Sequence, residues 1–365
     1  MKTENKTISP FQLYFTIMQA QIGVGLLSLP FAVHAYAKQD SWISVIISGL
    51  TVQLFIVINF LLSKRFPTKT FSQFAPLIAG KFLGGVINLL YIVYFFAICY
   101  LITLLSVGVL KDWILAYTPN WILYFLIILT GYYLGRENIR IIARFNTFVS
   151  AFIILFVVIF SGGLTDINYR FLFPMFHTNY LNLLKGAHAS LVSMIGFESL
   201  LFIFPYINGE SKKIVKTTLL AAGTTTILYV FFVVITTMYF SPAEILVIPE
   251  PILYLLKSLT YQSIERLDLL FLSFWLIAMI SSFVIYLYLT SKSVGKFLHK
   301  GDHKKTINYV AALLFIISFT IQRESTITVF SDLLSKASYI FIFIIPSLLL
   351  FASIIFKKKE MNTNE

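Results

Sequence analysis

The chain has 365 residues, of which 58% are hydrophobic and 12% are charged. Because soluble proteins carry roughly 25% charged residues, this composition excludes a water-soluble globular protein and indicates a polytopic membrane protein. The net charge of +12 would favour nucleic-acid binding in a soluble protein. Here the basic residues lie in short loops between apolar segments, where they set the orientation of membrane helices.

About ten apolar segments are long enough to cross a bilayer as helices, which takes about 20 residues each. The sequence therefore predicts an all-α protein with a single transmembrane domain over residues 1–365 and tails at 1–9 and 357–365. We also expect an interfacial helix at 71–82 and long polar connections at 163–183 and 241–264. The predicted spans are 10–36, 41–63, 83–110, 119–136, 139–162, 184–207, 213–240, 265–291, 306–321 and 335–356.

The basic residues predict the orientation of these spans. If the N-terminus lies inside, most of the 28 Lys and Arg residues fall in inner segments. Clusters such as Lys212-Lys213 and Lys357-Lys358-Lys359 then face the cytoplasm, as the positive-inside rule expects. We therefore expect an even number of spans with both termini in the cytoplasm.

Two spans carry helix-weakening residues near the middle of the membrane. The first contains Gly23, Gly25 and Pro30, and the sixth contains Gly196 with Pro205 downstream. These breaks lie about half a chain apart, so we predict two inverted repeats, approximately 10–162 and 184–356, whose broken helices meet at a midplane site. The alternative is that small residues simply allow close helix packing, which is common in membranes.

Several stretches resemble known permeases. Residues 22–30, IGVGLLSLP, resemble the amino acid–polyamine–organocation permease superfamily, whose LeuT-type fold is a 5+5 inverted repeat with helices one and six broken. Further stretches resemble one branch of it, the B subunits of spore germinant receptors (the endospore germination permease family). They are Arg65–Phe71 with Gly80–Gly84, Ala143–Asn146, Gly196–Glu198 with Phe204-Pro205, and Glu265–Asp268 with Phe274-Trp275.

This resemblance implies a role in sporulating bacteria. Such subunits lie in the inner membrane of the spore and act with an A subunit and a lipoprotein C subunit. They bind a small nutrient germinant, often an amino acid, and signal spore germination. For this chain an amino acid, a nucleoside and a sugar are all open as the germinant. The resemblance therefore implies the same partners, ligand class and localisation for this chain.

The breaks supply the first candidate ligand-binding residues. An unwound segment at Gly23, Val24 and Gly25 exposes N–H groups and a helix N-terminus, which suit a carboxylate. Many permeases of the superfamily carry a smaller residue between these glycines, and Val24 departs from that pattern. The resemblance further implies that helices three and eight flank the site. The remaining candidates are Tyr94, Ile98, Ile195, Gly196, Phe197, Ser282 and Tyr286, for which ordinary packing is the competing interpretation.

Glu198 is the other candidate, because an acidic side chain deep in a membrane span is costly and usually functional. Three roles are open to it: contact with a ligand amine, holding a proton, or supporting the break of helix six during gating. The alternative is that it reaches the cytoplasmic interface or caps neighbouring backbone.

The motif content argues against an enzyme. The sequence contains no HExxH, Walker A, GxSxG or CxxC motif, and its one cysteine, Cys99, cannot form an intrachain disulfide or a zinc site alone. We expect no cofactor and no metal. The favoured function is a germinant sensor. A secondary transporter of amino acids or related solutes is the alternative, and an ion or water pore component is a further one.

Overall fold

The computed structural model describes residues 7–23, 25–259, 266–298 and 302–360. The described elements are helices, apart from one isolated parallel bridge between Ile8 and Ile207. In chain order the helices are α1 (Pro10–Gln21), α2 (Gly25–Ala37), α3 (Ser41–Lys64), α4 (Phe71–Ala79), α5 (Lys81–Trp113), α6 (Asn120–Gly135), α7 (Ile139–Val149), α8 (Ala151–Ser161), α9 (Tyr180–Ser193), α10 (Leu200–Ile203), α11 (Ser211–Tyr239), α12 (Pro251–Ser258), α13 (Leu267–Leu298), α14 (His303–Ile317), α15 (Glu324–Tyr339) and α16 (Ile345–Ile355).

Each of the ten predicted spans coincides with a helix or a pair of helices, which confirms the predicted all-α membrane fold. By length and apolarity, six helical segments of the described chain suffice to cross a membrane. A seventh is formed if the bent pair Tyr180–Ser193 and Phe197–Tyr206 counts as one span, and Asn120–Gly135 is a shorter apolar helix. The first and sixth spans are broken in the structure, as the glycines indicated.

The last span begins earlier than predicted, because α15 starts at Glu324 and not near residue 335. Its first turns contain Glu324 and Asp332, which lower the local hydropathy below that of a membrane segment. Packing extends the helix there, and the ring of Phe330 lies 5.4 Å from that of Tyr100 on α5. A π-helical turn over Ile340–Ile344 then leads to Pro346, which lacks an N–H for regular helical bonding.

Both described ends of the chain lie at one end of the helix bundle, which we call the termini side. The backbone N–H of Ile8 donates to the Tyr206 carbonyl at 2.8 Å, and the N–H of Asn208 donates to the Ile8 carbonyl at 2.9 Å. The Arg65 guanidinium donates to the Ser353 carbonyl at 2.8 Å, and the Glu360 N–H donates to the Arg65 carbonyl. The end of the sixth span is therefore fixed against the N-terminal segment.

At the opposite end, Asp40 holds the connection that leads into α9. Its buried carboxylate accepts the backbone N–H groups of Phe176, His177 and Thr178 at 2.7, 2.9 and 2.9 Å. Charge-assisted bonds of this kind are roughly twice as strong as neutral ones. The short helix α12 packs against α2, α11 and α13 on this side. The start of the sixth span is thereby fixed to the turn between α2 and α3.

The two broken spans occupy the interior. Helices α1 and α2 pack against α9, α11 and α13, and the long helices α5 and α13 pack along each other beside them. The breaks are therefore enclosed by other helices, which is where irregular backbone is tolerated in a membrane protein.

Candidate functional site

The first break follows Gln21, the last residue of α1. Ile22 still donates its N–H to the Met18 carbonyl at 3.0 Å, but its backbone is extended and the α-helix stops there. Helix α2 begins at Gly25. Val24, one of the predicted ligand-binding residues, lies outside the described residues, whereas Gly23 and Gly25 flank the break as predicted. The break leaves backbone groups that need partners from outside the helix.

The second break lies between Ser193, the end of α9, and a 3₁₀ turn at Phe197–Ser199. The two parts of this span are bent by 55°. The bend is made by Gly196, whose φ of +135° is a conformation that side-chain-bearing residues rarely adopt. The sequence predicted the position of this break, and the structure shows that its glycine is required by backbone geometry.

The two breaks pack directly against each other. A Cβ atom at Gly196 would lie 2.5 Å from the carbonyl carbon of Ala20, and one at Gly25 would lie 2.7 Å from the hydroxyl oxygen of Ser193. The Ser193 hydroxyl donates to the Gly25 carbonyl at 3.2 Å. The Gln21 amide donates to the Met194 carbonyl at 2.9 Å. Close backbone approach and hydrogen bonds thus join the broken spans into one unit.

Ser282 on α13 donates to backbone carbonyls that the first break leaves without a helical partner. Its hydroxyl oxygen lies 2.5 Å from the Gln19 carbonyl oxygen and 2.9 Å from the Ile22 carbonyl oxygen, and both carbonyls accept from it. The neighbouring Ser281 hydroxyl donates to the side-chain oxygen of Gln19 at 2.9 Å. A Cβ atom at Gly23 would be 3.6 Å from the Ser282 hydroxyl oxygen, an ordinary contact. The predicted residues Gly23 and Ser282 are therefore brought together.

Glu198 satisfies the second break. One of its carboxylate oxygens accepts the Gly196 N–H at 2.8 Å, and the other accepts the Tyr286 hydroxyl of α13 at 2.8 Å. The side chain is fully buried. A buried carboxylate with two donors is stabilised in place, and each of its oxygens retains capacity for a further bond. The structure thus brings Gly196, Glu198 and Tyr286 together.

The aromatic residues of α5 form one wall beside Tyr286. The Phe95 ring lies 5.9 Å from the Tyr286 ring and 5.6 Å from the Tyr94 ring. Tyr94 stacks on Phe341 with 4.4 Å between ring centroids. Within the described part of the chain, the buried Tyr94 hydroxyl has no hydrogen-bond partner. Because an unpaired buried hydroxyl is costly, this group is available to a polar ligand.

The other predicted residues line this region less directly. Ile98 is buried one helical turn from Tyr94, on the same face of α5. Ile195 is partly buried within the second break, and Phe197 is fully buried at the start of the 3₁₀ turn. These three side chains supply apolar surface near the breaks.

Several residues of the site, Gln19, Gln21, Ser193, Tyr229 and Ser281 among them, were not in the predicted ligand-binding set. The Tyr229 hydroxyl of α11 lies 2.8 Å from the Gln21 carbonyl oxygen and 3.0 Å from the Ser193 carbonyl oxygen, so it contacts both breaks. Gln21 itself joins the breaks through its side chain. The signal for Gln21 was a glutamine two residues before Gly23 in an apolar span. For Tyr229, one of 20 tyrosines, the sequence carried no comparable signal.

The arrangement suits recognition of a small molecule. The described residues include no group of three or more His, Cys, Asp and Glu side chains able to hold a metal ion. The site instead offers backbone groups at two helix breaks, one carboxylate, hydroxyl groups and apolar walls. Such a combination of apolar lining with a few polar groups is typical of ligand sites in helix bundles.

Solved structures share this fold. Superposition on MhsT in complex with L-phenylalanine gives a TM-score of 0.68, with 12% identity over 95% of this chain and 89% of that one. Mhp1, a nucleobase-cation-symport-1 family transporter in a closed conformation with bromovinylhydantoin, gives 0.64 over 99% and 81%, also with 12% identity. These are LeuT-fold transporters, so the predicted fold is confirmed.

Sequence comparison supplies the family. GerQB, a spore germination protein of Bacillus cereus, is 22% identical over 338 residues, covering 92% of this chain and 93% of the relative. The spore germination protein YndE of Bacillus subtilis (strain 168) is 24% identical over 362 residues, covering 97% and 98%. The family model described as spore germination protein matches residues 7–327. The chain is thus an integral membrane protein and belongs to the spore germination protein family.

Proposed function

We propose that this chain is the germinant-sensing membrane subunit of a spore germinant receptor, and that it binds its ligand where the two broken spans meet. The observation that carries the proposal is the junction itself. Gly25 and Gly196 pack against the opposite broken span, and α11 and α13 satisfy the freed backbone groups. Family membership supports the proposed biological setting, and the geometry of the junction supports the proposed site. We propose no catalytic activity and no cofactor.

An amino acid fits the chemistry of the junction. The N-terminus of α2 lies at the first break, and a helix N-terminus favours a carboxylate. The Tyr94 hydroxyl offers a further polar contact, and Ile98, Ile195 and Phe197 supply apolar surface for a side chain. Glu198 accepts the Gly196 N–H and the Tyr286 hydroxyl, so we assign it to support of the second break.

In this proposal, ligand binding changes the positions of α11 and α13, the helices that hydrogen-bond to the breaks. A ligand shifts a conformational equilibrium only by its different affinity for the two states. Tyr229 and Ser282 bond to backbone carbonyls that a ligand at the break would approach. We propose that these bonds differ between the resting and signalling states, and that an A subunit and a lipoprotein C subunit sense the resulting movement of α11 and α13.

The proposed location is the inner membrane of the spore, with the termini side in the cytoplasm. The chain has a net charge of +12. The clustered lysines at the start of α11 lie on the termini side, as do the lysines that follow α16. Positive charge on one side favours the cytoplasmic side of a membrane.

Secondary transport of the same ligand is a second candidate, because the fold is shared with MhsT, which was solved with L-phenylalanine bound. The two candidates differ in turnover. A sensor keeps the ligand site and signals through partners, whereas a transporter also releases the ligand on the opposite side.

The test combines binding and flux on the purified chain. Thermal unfolding with a panel of amino acids and nucleosides reports binding, because a ligand that prefers the folded state raises its apparent stability. Proteoliposome uptake of the stabilising ligand reports transport. We expect a rise in the unfolding temperature with one amino acid and no saturable uptake. Saturable uptake would replace the sensor by a transporter, and stabilisation by no member of the panel would contradict a ligand site in this chain.

A further inference from the structure

A groove on the termini side lies away from the junction of the two breaks. Its volume is about 630 Å³, which is within the range of small-ligand sites. It is formed by the end of α4, the first turns of α5 and the residues of α16, and α4 packs against both α5 and α16. Its lining is apolar apart from Lys358, and none of the residues assigned above to the germinant site lines it.

The groove faces the hydrocarbon of the membrane. Among its lining residues, Ile78 and Leu349 are buried, whereas Leu83 on α5 and Leu348 on α16 are exposed. Both exposed residues belong to helical segments that are long and apolar enough to cross a membrane. An apolar groove on such a surface fits an acyl chain, because van der Waals packing stabilises apolar contacts within a membrane.

The groove is positively charged where it meets the end of α16. The Lys358 ammonium donates to the Leu77 carbonyl of α4 at 3.0 Å, which holds it beside the apolar lining. Because a backbone carbonyl has no net charge, this bond orients the ammonium group and leaves its positive charge in place. Lys357 and Lys359, on either side of it in the sequence, are exposed.

The acidic residue that follows these lysines is held by other groups. The Glu360 carboxylate accepts the Thr68 N–H at 3.1 Å and lies 3.6 Å from the Lys69 ammonium. The lining residues that the structure describes include no carboxylate. An anionic group from the membrane can therefore approach Lys358 without displacing an ion pair of the lining.

We propose that this groove binds one anionic phospholipid, with an acyl chain along the apolar lining and its phosphate group at Lys358. Basic residues directly after a membrane span attract anionic headgroups, and an ammonium group donates to phosphate oxygens. A neutral lipid matches the apolar lining alone, whereas an anionic lipid matches the lining and the lysines. The bound lipid holds α4 and α5 against α16. The site is independent of the proposed germinant site.

Native mass spectrometry of the full-length purified protein tests the proposal. The delipidated protein is titrated with phosphatidylglycerol or with phosphatidylcholine, and the lipids that stay bound are counted. We expect one tightly bound phosphatidylglycerol and no phosphatidylcholine. The triple variant Lys357→Gln, Lys358→Gln and Lys359→Gln should bind phosphatidylglycerol about tenfold more weakly. The matched control removes three exposed lysines at the start of α11, also on the termini side, and should bind as the wild type does: Lys212→Gln, Lys213→Gln and Lys216→Gln.

A second pair of variants tests the groove itself. Ala352→Phe fills the apolar lining and should weaken phosphatidylglycerol binding, whereas Ala312→Phe, on an exposed position of α14, should not. Thermal unfolding checks that each variant is folded, and Ala352→Leu replaces Ala352→Phe if that variant is not.

Three outcomes overturn the proposal. They are equal binding of the two lipids, no bound lipid, and equal loss of binding in a variant and its control. A dimer that disappears in Ala352→Phe would assign the groove to a second copy of the chain and would also overturn it.

Discussion

The two helix breaks both free backbone groups from helical hydrogen bonds, and these groups find their partners in different ways. In the first span, the freed carbonyls of Gln19, Gln21 and Ile22 accept hydroxyl groups from α11 and α13. In the sixth span, the freed N–H of Gly196 is accepted by Glu198, two residues further along the same chain segment. The carbonyls of the first break thus depend on other helices. At the second break, the bend at Gly196 is held from within, and other helices contribute the Glu198–Tyr286 bond and the bonds that Tyr229 and Gln21 donate to the Ser193 and Met194 carbonyls.

This difference indicates which break can transmit movement. A break held by neighbouring helices changes its bonding whenever those helices shift, so the first break couples ligand binding to α11 and α13. A break held by its own carboxylate keeps its local shape while the helix moves as a unit. We therefore expect the second break to act as a rigid bend and the first as the adjustable part.

The largest expected effect is at the rigid bend. Gly196→Ala forces a side chain into a positive φ and against the Ala20 carbonyl, with strain and overpacking together costing about 2–6 kcal/mol. We expect a strong loss of folded protein, measured by yield and by the thermal unfolding midpoint. Gly85→Ala is the matched control, because an added Cβ atom there meets open space. Equal stability of the two variants would show that the bend tolerates a side chain.

The next effect concerns Glu198. In Glu198→Gln, one amide oxygen must serve the two donors that a carboxylate now accepts, with an expected cost of about 1–3 kcal/mol. Tyr286→Phe should cost less, and the double variant should cost less than the two single changes added together, because they share one bond. Thermal unfolding measures all three, with the exposed Glu137→Gln as control. Strict additivity would contradict the Glu198–Tyr286 bond.

At the adjustable break, Ser282→Ala leaves the carbonyls of Gln19 and Ile22 without their shared donor. We expect a loss of about 1–2 kcal/mol, together with a changed ligand affinity. The control is Ser106→Ala, a buried serine whose hydroxyl bonds a carbonyl of its own helix. Stability and ligand affinity both equal to those of the control variant would show that the first break does not depend on α13.

Tyr229→Phe should give the smallest effect, about 0.5–1.5 kcal/mol. Its hydroxyl lies 2.8 and 3.0 Å from the two carbonyl oxygens, which is farther than the 2.5 and 2.9 Å of Ser282. Since this residue contacts both breaks, we expect a clearer effect on the ligand response than on stability. Spore germination rates against ligand concentration measure the response, with the exposed Tyr133→Phe as control. An unchanged response would remove α11 from the proposed signalling route.

The sequence predicted the fold because the length of each apolar segment and the basic residues of each loop can be seen in short stretches of sequence. All ten predicted spans are helical, and both breaks lie at their glycines. The start of the last span was predicted too late. Polar residues in the first turns of α15 lower its hydropathy, but the helix packs on α5 and begins at Glu324. Hydropathy indicates which residues suit contact with lipid. It therefore does not predict helical turns that carry polar residues and are stabilised by packing against a neighbouring helix.

The sequence predicted several residues of the candidate site, but it did not predict which helices hydrogen-bond to each other there. Glu198 was singled out because a buried acid is rare, and Tyr286 and Ser282 because the resemblance placed helix eight beside the site. The roles of Tyr229 and Ser193 depend on which helices meet in space, which residue types do not reveal. Nor did the sequence distinguish Gly23, which has room for a Cβ atom, from Gly196, which does not.

The difference in space at Gly23 and Gly196 allows the most direct test of a ligand site between the two broken spans. Gly23→Ala places a methyl group at the junction, where the single added carbon meets only an ordinary contact with Ser282. Equilibrium binding of the amino acid that best stabilises the wild-type protein should be measured for this variant and for Gly85→Ala. The account predicts that binding is weakened in Gly23→Ala while its unfolding temperature stays close to that of the control. Undiminished binding at equal stability would contradict a ligand site between the two broken spans.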